Sequence, residues 1–253
     1  MSDWDALEAE LDRWARAGNV ATFWWRDDDA FEPSPALSML LELSETHAVP
    51  LSLAVIPAKA DPTLLDGLPS ATKPWLLQHG FAHANHAPWG EKKAEFGAHR
   101  SSNAMSEEIV AGAGRLRTLF GQRFLPLFVP PWNRISRGLT PLLPSLGIVG
   151  LSTFAPRRSA SPAPGLKQAN AHADLIDWRG GRRFKGTARA VEEIAVHLSA
   201  RRNARADPDE PSGILSHHQV HDRDCWQFLE QLFTRTCGRD NVRWLTAAEA
   251  FEI

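Results

Sequence analysis

Short apolar runs typical of β-strands alternate with segments of helical periodicity along most of the 253 residues. This alternation predicts an α/β fold in which crossover helices join the strands of a parallel sheet. About seven strands predict a closed or nearly closed barrel, forming a single domain over 1–253, and such barrels carry their sites at the carboxyl ends of the strands. The predicted strands are 20–26, 51–56, 75–78, 126–129, 147–153, 213–216 and 242–244. The predicted helices are 3–17, 36–47, 61–67, 104–120, 137–145, 187–203, 222–237 and 246–251.

Charge and composition exclude several kinds of partner. The chain has 28 basic and 30 acidic residues, which argues against nucleic acid or an anionic membrane as the main partner. No apolar run approaches the ~18 residues of a membrane-spanning helix, and no signal-peptide core is present. Cys225 and Cys237 fall on one predicted helix, too far apart for a disulfide. We therefore expect a cytoplasmic protein in a reducing compartment, without a transmembrane segment.

Three consecutive aspartates, Asp27, Asp28 and Asp29, end the first predicted strand. Carboxylates at the end of a buried strand are costly unless a cation or a hydrogen-bond donor compensates them. A divalent metal ion would supply that positive charge. A solvated loop or a helix cap would also account for the run, so other residues are needed to distinguish a metal site from these alternatives.

Two histidine pairs with i, i+4 spacing can complete a metal site. His79 and His83 form one pair and His217 and His221 the other, and each pair begins at the carboxyl end of a predicted strand. Strand ends of a parallel barrel converge at one mouth, so both pairs can meet the aspartates. Two imidazoles and one carboxylate form an open zinc site, in which bound water becomes a nucleophile near neutral pH. A neighbouring second carboxylate can then act as general base.

Hydrolysis also requires an acid for the leaving group, and His217 is the candidate. Histidine titrates near neutral pH, and a carboxylate partner would hold it protonated. The run 174–178 can supply that partner, with Asp177 favoured. The proline-rich turn 130–133 can aim a backbone N–H at developing oxyanion charge. The alternatives are a core histidine bonded to backbone and an ordinary strand-ending turn.

In this order, the segments resemble five motifs of the polysaccharide deacetylase (NodB-homology) superfamily, the group around carbohydrate esterase family four. The resemblance spans residues 20–218. The family's Asp-Asp-Gly, His-(Ser/Thr)-x-x-His, Asp-x-x-Asp-Trp and Leu-x-His have counterparts in Asp28-Asp29-Ala30, His79-Gly80-Phe81-Ala82-His83, Asp174-Leu175-Ile176-Asp177-Trp178 and Leu215-Ser216-His217. Its Arg-x-Pro-Tyr is matched loosely by Val129-Pro130-Pro131-Trp132.

The resemblance implies a distorted (β/α)7 barrel and a zinc-dependent hydrolase that removes N-acetyl, or O-acetyl, groups from a carbohydrate. Carried over by position, it assigns the base to Asp28, the metal ligands to Asp29, His79 and His83, the acid to His217 tuned by Asp177, and the oxyanion donor to the backbone N–H of Trp132. Cobalt, nickel or iron can replace zinc in such a donor set. The triple aspartate leaves a second register open, with Asp27 as base and Asp28 as ligand.

The chain departs from the family pattern in its third motif. Val129 stands where the family has an arginine that holds the base. Arg26, Arg134 and Arg179 each lie beside a motif and are candidates to replace it. Without a replacement, the base would be held less firmly and activity would be low or specialised.

The expected substrate is a carbohydrate. Because no secretion signal is present, a nucleotide-linked or lipid-linked amino sugar is favoured over a finished wall polymer. Trp178, Asn85 and His86 lie beside the motifs and are the candidate substrate-binding residues.

Three other hypotheses stay open at this level. The same scaffold could hydrolyse a small non-sugar amide, such as a cyclic ureide. Loss of the motif-three arginine would suit a non-catalytic carbohydrate-binding relic. A metal could instead be held by His217, His218 and His221, in which case replacing His79 with alanine would leave the metal content intact.

Overall fold

The strands pair in parallel and curl into a distorted (β/α)7 barrel, which confirms the predicted α/β architecture. The computed structural model describes residues 2–66 and 74–253. Within them the helices are α1 (Asp5–Arg16), α2 (Pro35–His47), α3 (Ser102–Phe120), α4 (Thr187–Arg202), α5 (Arg223–Thr236) and α6 (Ala247–Phe251). The strands are β1 (Ala21–Ala30), β2 (Leu51–Val55), β3 (Trp75–His79), β4 (Phe124–Val129), β5 (Gly150–Leu151), β6 (Lys167–Gln168), β7 (Ala173–Asp174), β8 (Ile176–Asp177), β9 (Arg183–Phe184), β10 (Ser212–Ser216) and β11 (Val242–Leu245).

One sheet organises the described part of the chain. Nine of the described strands belong to it, in the order β6-β5-β4-β3-β2-β1-β10-β7, with β11 paired to β1 as well. Every pair in this sheet is parallel, whereas β8 and β9 form a separate antiparallel pair. Because β1, β3, β4 and β10 run in the same direction, their carboxyl ends meet at one mouth of the barrel.

Strand alternation gives β1 two buried faces. Phe23 and Trp25 pack into the large core between the sheet and the helices. Trp24 packs into a second core, where its ring meets that of Phe251 of α6 at 5.6 Å between centroids. Successive side chains of a strand point to opposite faces, so the polar residues that follow on β1 are also divided between the two sides.

Two predicted helices take a different form. A 3₁₀ helix, Thr140–Leu146, replaces the predicted α-helix 137–145, because Pro144 inside it cannot donate an α-helical hydrogen bond. The predicted helix 61–67 is a series of turns up to residue 66. The Asp61 side chain accepts the backbone N–H of Thr63 and closes the first of these turns. Residue 67 lies outside the described residues.

The remaining differences concern short strands. Only β5 forms within the predicted strand 147–153, and β6 lies beyond it, within 154–171. The segment 84–103 is irregular up to the start of α3. Across the described ranges, every helix is too short or too polar to cross a bilayer.

Candidate metal centre and active site

The three consecutive aspartates at the end of β1 enter three different surroundings. Asp27 lies on the helix-facing side of the sheet, where its carboxylate accepts hydrogen bonds from the end of β10. Asp28 lies on the opposite side, in contact with Arg26. Asp29 has a left-handed backbone (φ 71°) where the register between β1 and β2 shifts. Strand alternation therefore separates Asp27 from Asp28, and the irregularity at Asp29 gives its carboxylate a third direction.

Asp29, His79 and His83 form a cluster of metal-binding donors. Oδ1 of Asp29 lies 3.1 Å from Nε2 of His79 and 3.2 Å from Nε2 of His83. Nδ1 of His79 is 3.0 Å from the carbonyl oxygen of Val129, which places a ring proton on Nδ1 and makes Nε2, which faces Asp29, the atom that can bind a metal ion. Two imidazoles and one carboxylate with such a fixed tautomer fit a divalent transition metal.

Protonation differs between the two histidines of the cluster. Burial lowers the pKa of His79, but the charges of Asp28 and Asp29 and the hydrogen bond to Asp29 outweigh it and raise that pKa, so an ion that binds Nε2 has to displace a proton. Burial and the neighbouring charge of His79 lower the pKa of His83 to about 4. Burial raises the pKa of Asp29, but the hydrogen bond and charge of His79 outweigh it and hold that pKa well below its usual range. At neutral pH His83 is therefore a neutral imidazole and Asp29 a carboxylate, the forms that bind a divalent ion.

A buried glutamate holds the loop that carries His83. The Glu95 carboxylate accepts hydrogen bonds from the backbone N–H groups of Phe81 at 3.1 Å, Ala82 at 2.8 Å and Ala84 at 3.2 Å. Because these groups lie on both sides of His83, the carboxylate fixes the backbone from which the imidazole projects. The sequence did not reveal this support, since Glu95 lies in a segment without regular periodicity.

We expect Gly80→Ala to destabilise this loop strongly. Gly80 has a φ of 57°, and a Cβ there would lie 2.1 Å from the Glu95 carboxylate and 2.6 Å from Pro131. Left-handed strain of about 1–2 kcal/mol and overpacking of about 1–3 kcal/mol should together lower the free energy of unfolding by about 2–5 kcal/mol, as measured by urea denaturation. Gly114→Ala in α3 is the control, because a Cβ there meets nothing within 4 Å. Equal stability of Gly80→Ala and the wild type would contradict the prediction.

Arg26 holds the Asp28 carboxylate inside the barrel. Its Nη2 donates to Oδ2 of Asp28 at 3.0 Å, and its Nε lies 2.8 Å from Oδ1 in an ion pair that lacks hydrogen-bond alignment. The guanidinium also donates to Ser152 Oγ at 2.5 Å and to Asn133 Oδ1 at 2.8 Å. Both members of the pair are buried, so the interaction is little screened by solvent.

The other two candidate arginines do not contact Asp28. Arg134 donates to the backbone carbonyl of Lys93 at 2.6 Å, and Arg179 is exposed. Of the three arginines considered as replacements for the one missing at Val129, Arg26 is the one in contact with Asp28.

His217 lies beside Asp174, which corrects the expectation that Asp177 is its partner. Nδ1 of His217 is 3.8 Å from Oδ1 of Asp174. The Trp178 indole donates to Oδ2 of Asp174 at 2.7 Å and meets the His217 ring edge-on, at 4.7 Å between centroids. Asp177 instead accepts the backbone N–H groups of 179–180, which lowers its pKa. The reason is that β7 ends at Asp174 beside β10, whereas Asp177 belongs to β8.

The 3₁₀ turn Pro131–Asn133 borders the cluster. The ring of Trp132 packs against that of His83 at 4.4 Å between centroids, and Asn133 accepts from Arg26. Trp132 and Asn133 both have a φ of 56°, a left-handed conformation that is uncommon outside glycine. The turn therefore touches both a candidate metal ligand and the arginine that holds Asp28.

Asn85 and His86 are exposed in the long loop before α3. The Asn85 side chain accepts the backbone N–H groups of Ala87 and Ala94, which closes this loop. A contribution of Asn85 and His86 to substrate binding stays a prediction.

The alternative metal site at His217, His218 and His221 does not form a cluster, because these residues contact other groups. His218 Nδ1 lies 2.5 Å from Oδ1 of Asp27, and His221 Nε2 accepts the backbone N–H of His217 at 3.3 Å. In the described part of the chain, the side chains that group as potential metal ligands are Asp29, His79 and His83, and, separately, His172, His197 and Glu210.

Solved structures with the same architecture are known. A candidate polysaccharide deacetylase from Mycobacterium smegmatis superposes with a TM-score of 0.68 at 15% identity, over 93% of this chain and 90% of that one. A peptidoglycan deacetylase from Bacillus subtilis gives 0.55 at 14% identity, over 92% and 91%. A family 4 acetyl xylan esterase from Clostridium thermocellum, solved with a cobalt ion, gives 0.51 at 12%, over 91% and 90%. The chain has the fold of the polysaccharide deacetylases. No family model and no curated protein matches the sequence.

A second cluster in this deacetylase fold has donors of a different character. His172 Nδ1 accepts the backbone N–H of Gly213 at 2.9 Å, which places the proton of the neutral ring on Nε2, 3.4 Å from Glu210. The rings of His172 and His197 stack in parallel at 3.4 Å between centroids, so their lone pairs do not converge on one point. Glu210 also accepts the backbone N–H groups of Asn170 and Arg157. These contacts tie the connection before β7 to the segment before β10 and do not form a metal site.

The buried His197 should make the fold sensitive to acid. Burial, His172 and Arg201 lower the pKa of His197 to about 2, so below about pH 6.5 the unfolded chain binds a proton that the folded chain does not. The free energy of unfolding should therefore fall with decreasing pH, and this residue should account for about 2 kcal/mol of the loss between pH 7.5 and 5.0. Urea denaturation at both pH values should give a smaller loss for His197→Gln than for the wild type, and identical losses would contradict the assignment.

Proposed function

We propose that the protein is a metal-dependent hydrolase that removes N-acetyl groups from a carbohydrate. The observation that carries the proposal is the cluster of Asp29, His79 and His83, in which the Val129 carbonyl fixes Nδ1 of His79 and directs Nε2 at Asp29, beside a second carboxylate held by Arg26. The fold shared with polysaccharide deacetylases supports the same chemistry.

Asp29, His79 and His83 would hold the metal, with zinc as the default for this donor set. When bound, a divalent ion polarises the acetyl carbonyl and acidifies the attacking water. Cobalt is a reasonable substitute, and a cobalt ion is present in the Clostridium thermocellum esterase.

Two residues beside the cluster carry out the two proton transfers of the reaction. Asp28, fixed by Arg26, takes the proton of the attacking water as general base. His217, with Asp174 at 3.8 Å, gives a proton to the departing amine. The backbone N–H of Trp132, in the turn that packs on His83, donates to the developing oxyanion. Because Arg26 holds Asp28, the absence of an arginine at Val129 no longer favours a non-catalytic carbohydrate-binding relic.

The substrate in this proposal is an amino sugar, either free or linked to a nucleotide or lipid. Trp178 supports a sugar, because the residue is 41% exposed beside the acid His217, with the Arg182 guanidinium over its ring at 5.6 Å. The cysteines Cys225 and Cys237 are both free, which fits a reducing compartment and supports a cytoplasmic location.

Elemental analysis of the purified protein and acetate release from a substrate panel test the proposal. We expect about one divalent transition metal ion per chain, and acetate from at least one N-acetylhexosamine derivative. The panel should include nucleotide-linked sugars and cyclic ureides. Turnover of a ureide without acetate release from any glycan would replace the carbohydrate with a small amide, and a metal-free, inactive protein would overturn the proposal.

A further inference from the structure

Asp27 is a fully buried carboxylate that the proposed chemistry does not use. It lies on the helix-facing side of the sheet, opposite Asp28, and is paired in register with Ser216 of β10. Burying a carboxylate costs free energy unless several donors compensate it, so its presence here requires a reason.

The donors on Asp27 come from the two residues that flank His217. Ser216 Oγ donates to Oδ2 of Asp27 at 2.7 Å, and the His218 backbone N–H donates to the same oxygen at 2.9 Å. Nδ1 of His218 lies 2.5 Å from Oδ1. Trp25 Nε1 donates to Ser216 Oγ at 2.8 Å, which fixes the hydroxyl from the other side. Both carboxylate oxygens are thus used to hold the chain immediately before and after His217.

The other groups of the site have separate supports. Asp28 is held by Arg26. The Asp29 carboxylate contacts His79 and His83, whereas the Asp29 carbonyl accepts at 2.7 Å from the exposed side chain of Gln219, which lies on the same turn as His218. Loss of the Asp27 carboxylate would therefore release mainly the peptide that carries His217.

We propose that Asp27 is a positioning residue that sets the place of the acid His217 relative to the attacking side of the site. This inference rests on the proposed deacetylase function. In hydrolysis of an N-acetyl group, the C–N bond breaks and the amine leaves with a proton from His217, while the acetyl carbon keeps the oxygen of water. Displacing a catalytic group by about 1 Å can cost about 10²-fold in rate.

The leaving group separates positioning of the acid from a general structural role. An amine requires a proton to depart, whereas 4-nitrophenolate departs as an anion. Asp27→Ala should therefore lower kcat for an N-acetyl glycan by about 10²-fold, change KM by less than about threefold, and lower kcat for 4-nitrophenyl acetate by less than about threefold. Metal content should stay at the wild-type level. In the double variant with His217→Ala, the amide rate should be no lower than with His217→Ala alone, because both changes remove the same proton transfer.

Two further variants keep the test decisive. Asp27→Asn retains one oxygen acceptor for Ser216 and the His218 N–H, so its kcat for the amide should be about tenfold higher than that of Asp27→Ala. Glu210→Gln is the matched control, because Glu210 is an equally buried carboxylate remote from His217 and its neutralisation should leave the ratio of the two substrates unchanged. If Asp27→Ala does not fold, Asp27→Asn and Ser216→Ala should still show a selective loss on the amide.

The outcomes distinguish this inference from the function on which it rests. If the wild-type protein cleaves neither substrate, the deacetylase proposal fails, and this inference fails with it. If the wild type cleaves both substrates and the Asp27 variants lose both equally, or lose neither, the positioning role alone is overturned.

Discussion

His79→Ala should abolish metal binding and, with it, acetate release. The Nε2 atom of His79 faces Asp29 at 3.1 Å, and the ring is held by the Val129 carbonyl, so the substitution removes one of the three donors of the cluster. A bound ion supplies several kcal/mol of transition-state stabilisation, so the rate should fall by about 10³-fold or more. Elemental analysis after dialysis and an acetate assay measure the two effects together.

His99→Ala and His221→Ala are the controls for this prediction. His99 is exposed and lies outside the cluster, so its replacement should leave metal content unchanged. His221→Ala should also keep the metal, because Nε2 of His221 accepts the His217 backbone N–H. A metal that persists in His79→Ala and is lost in His221→Ala would favour the site at His217, His218 and His221.

The sequence predicts the architecture because parallel strands and crossover helices each leave a periodic signature. It also predicts that the aspartate run meets the pair His79 and His83, since each begins at or follows the carboxyl end of a strand, and the family resemblance selects Asp29 among the three aspartates. The three aspartates have different surroundings because their side chains point in different directions. Alternation along β1 places Arg26 and Asp28 on one face and Asp27 on the other. The i, i+2 spacing of Arg26 and Asp28 was therefore the signal that could have selected the replacement arginine.

Other features depend on contacts that have no local signature. Asp174 rather than Asp177 lies beside His217 because the run 174–178 is divided between two sheets, and the chain gives no sign of that division. Glu95 reaches the His83 loop only after the irregular segment 84–103 has folded back. Such long-range closure depends on tertiary packing, which neither hydrophobic periodicity nor turn chemistry encodes.

Asp28→Asn should lower kcat by about 10²–10⁴-fold while the metal content is retained. Asparagine has nearly the same shape and keeps an oxygen acceptor for Arg26, but it cannot accept the proton of the attacking water. Initial rates of acetate release and elemental analysis of the metal-replete protein measure the two effects.

The same variant separates the two registers of the triple aspartate. If Asp28 were a metal ligand and Asp27 the base, Asp28→Asn would lose the ion, and added zinc would restore part of the activity. With Asp29 as ligand, added zinc should have no effect on Asp28→Asn, whereas Asp29→Asn should lose the ion.

Arg26→Met tests the ion pair itself, because it leaves the buried Asp28 carboxylate without its cation. Breaking a buried ion pair by removing one partner costs about 3–5 kcal/mol of stability, and Asp28→Asn leaves the buried Arg26 cation without its anion in the same way, so both variants should unfold at lower urea concentrations than the wild type.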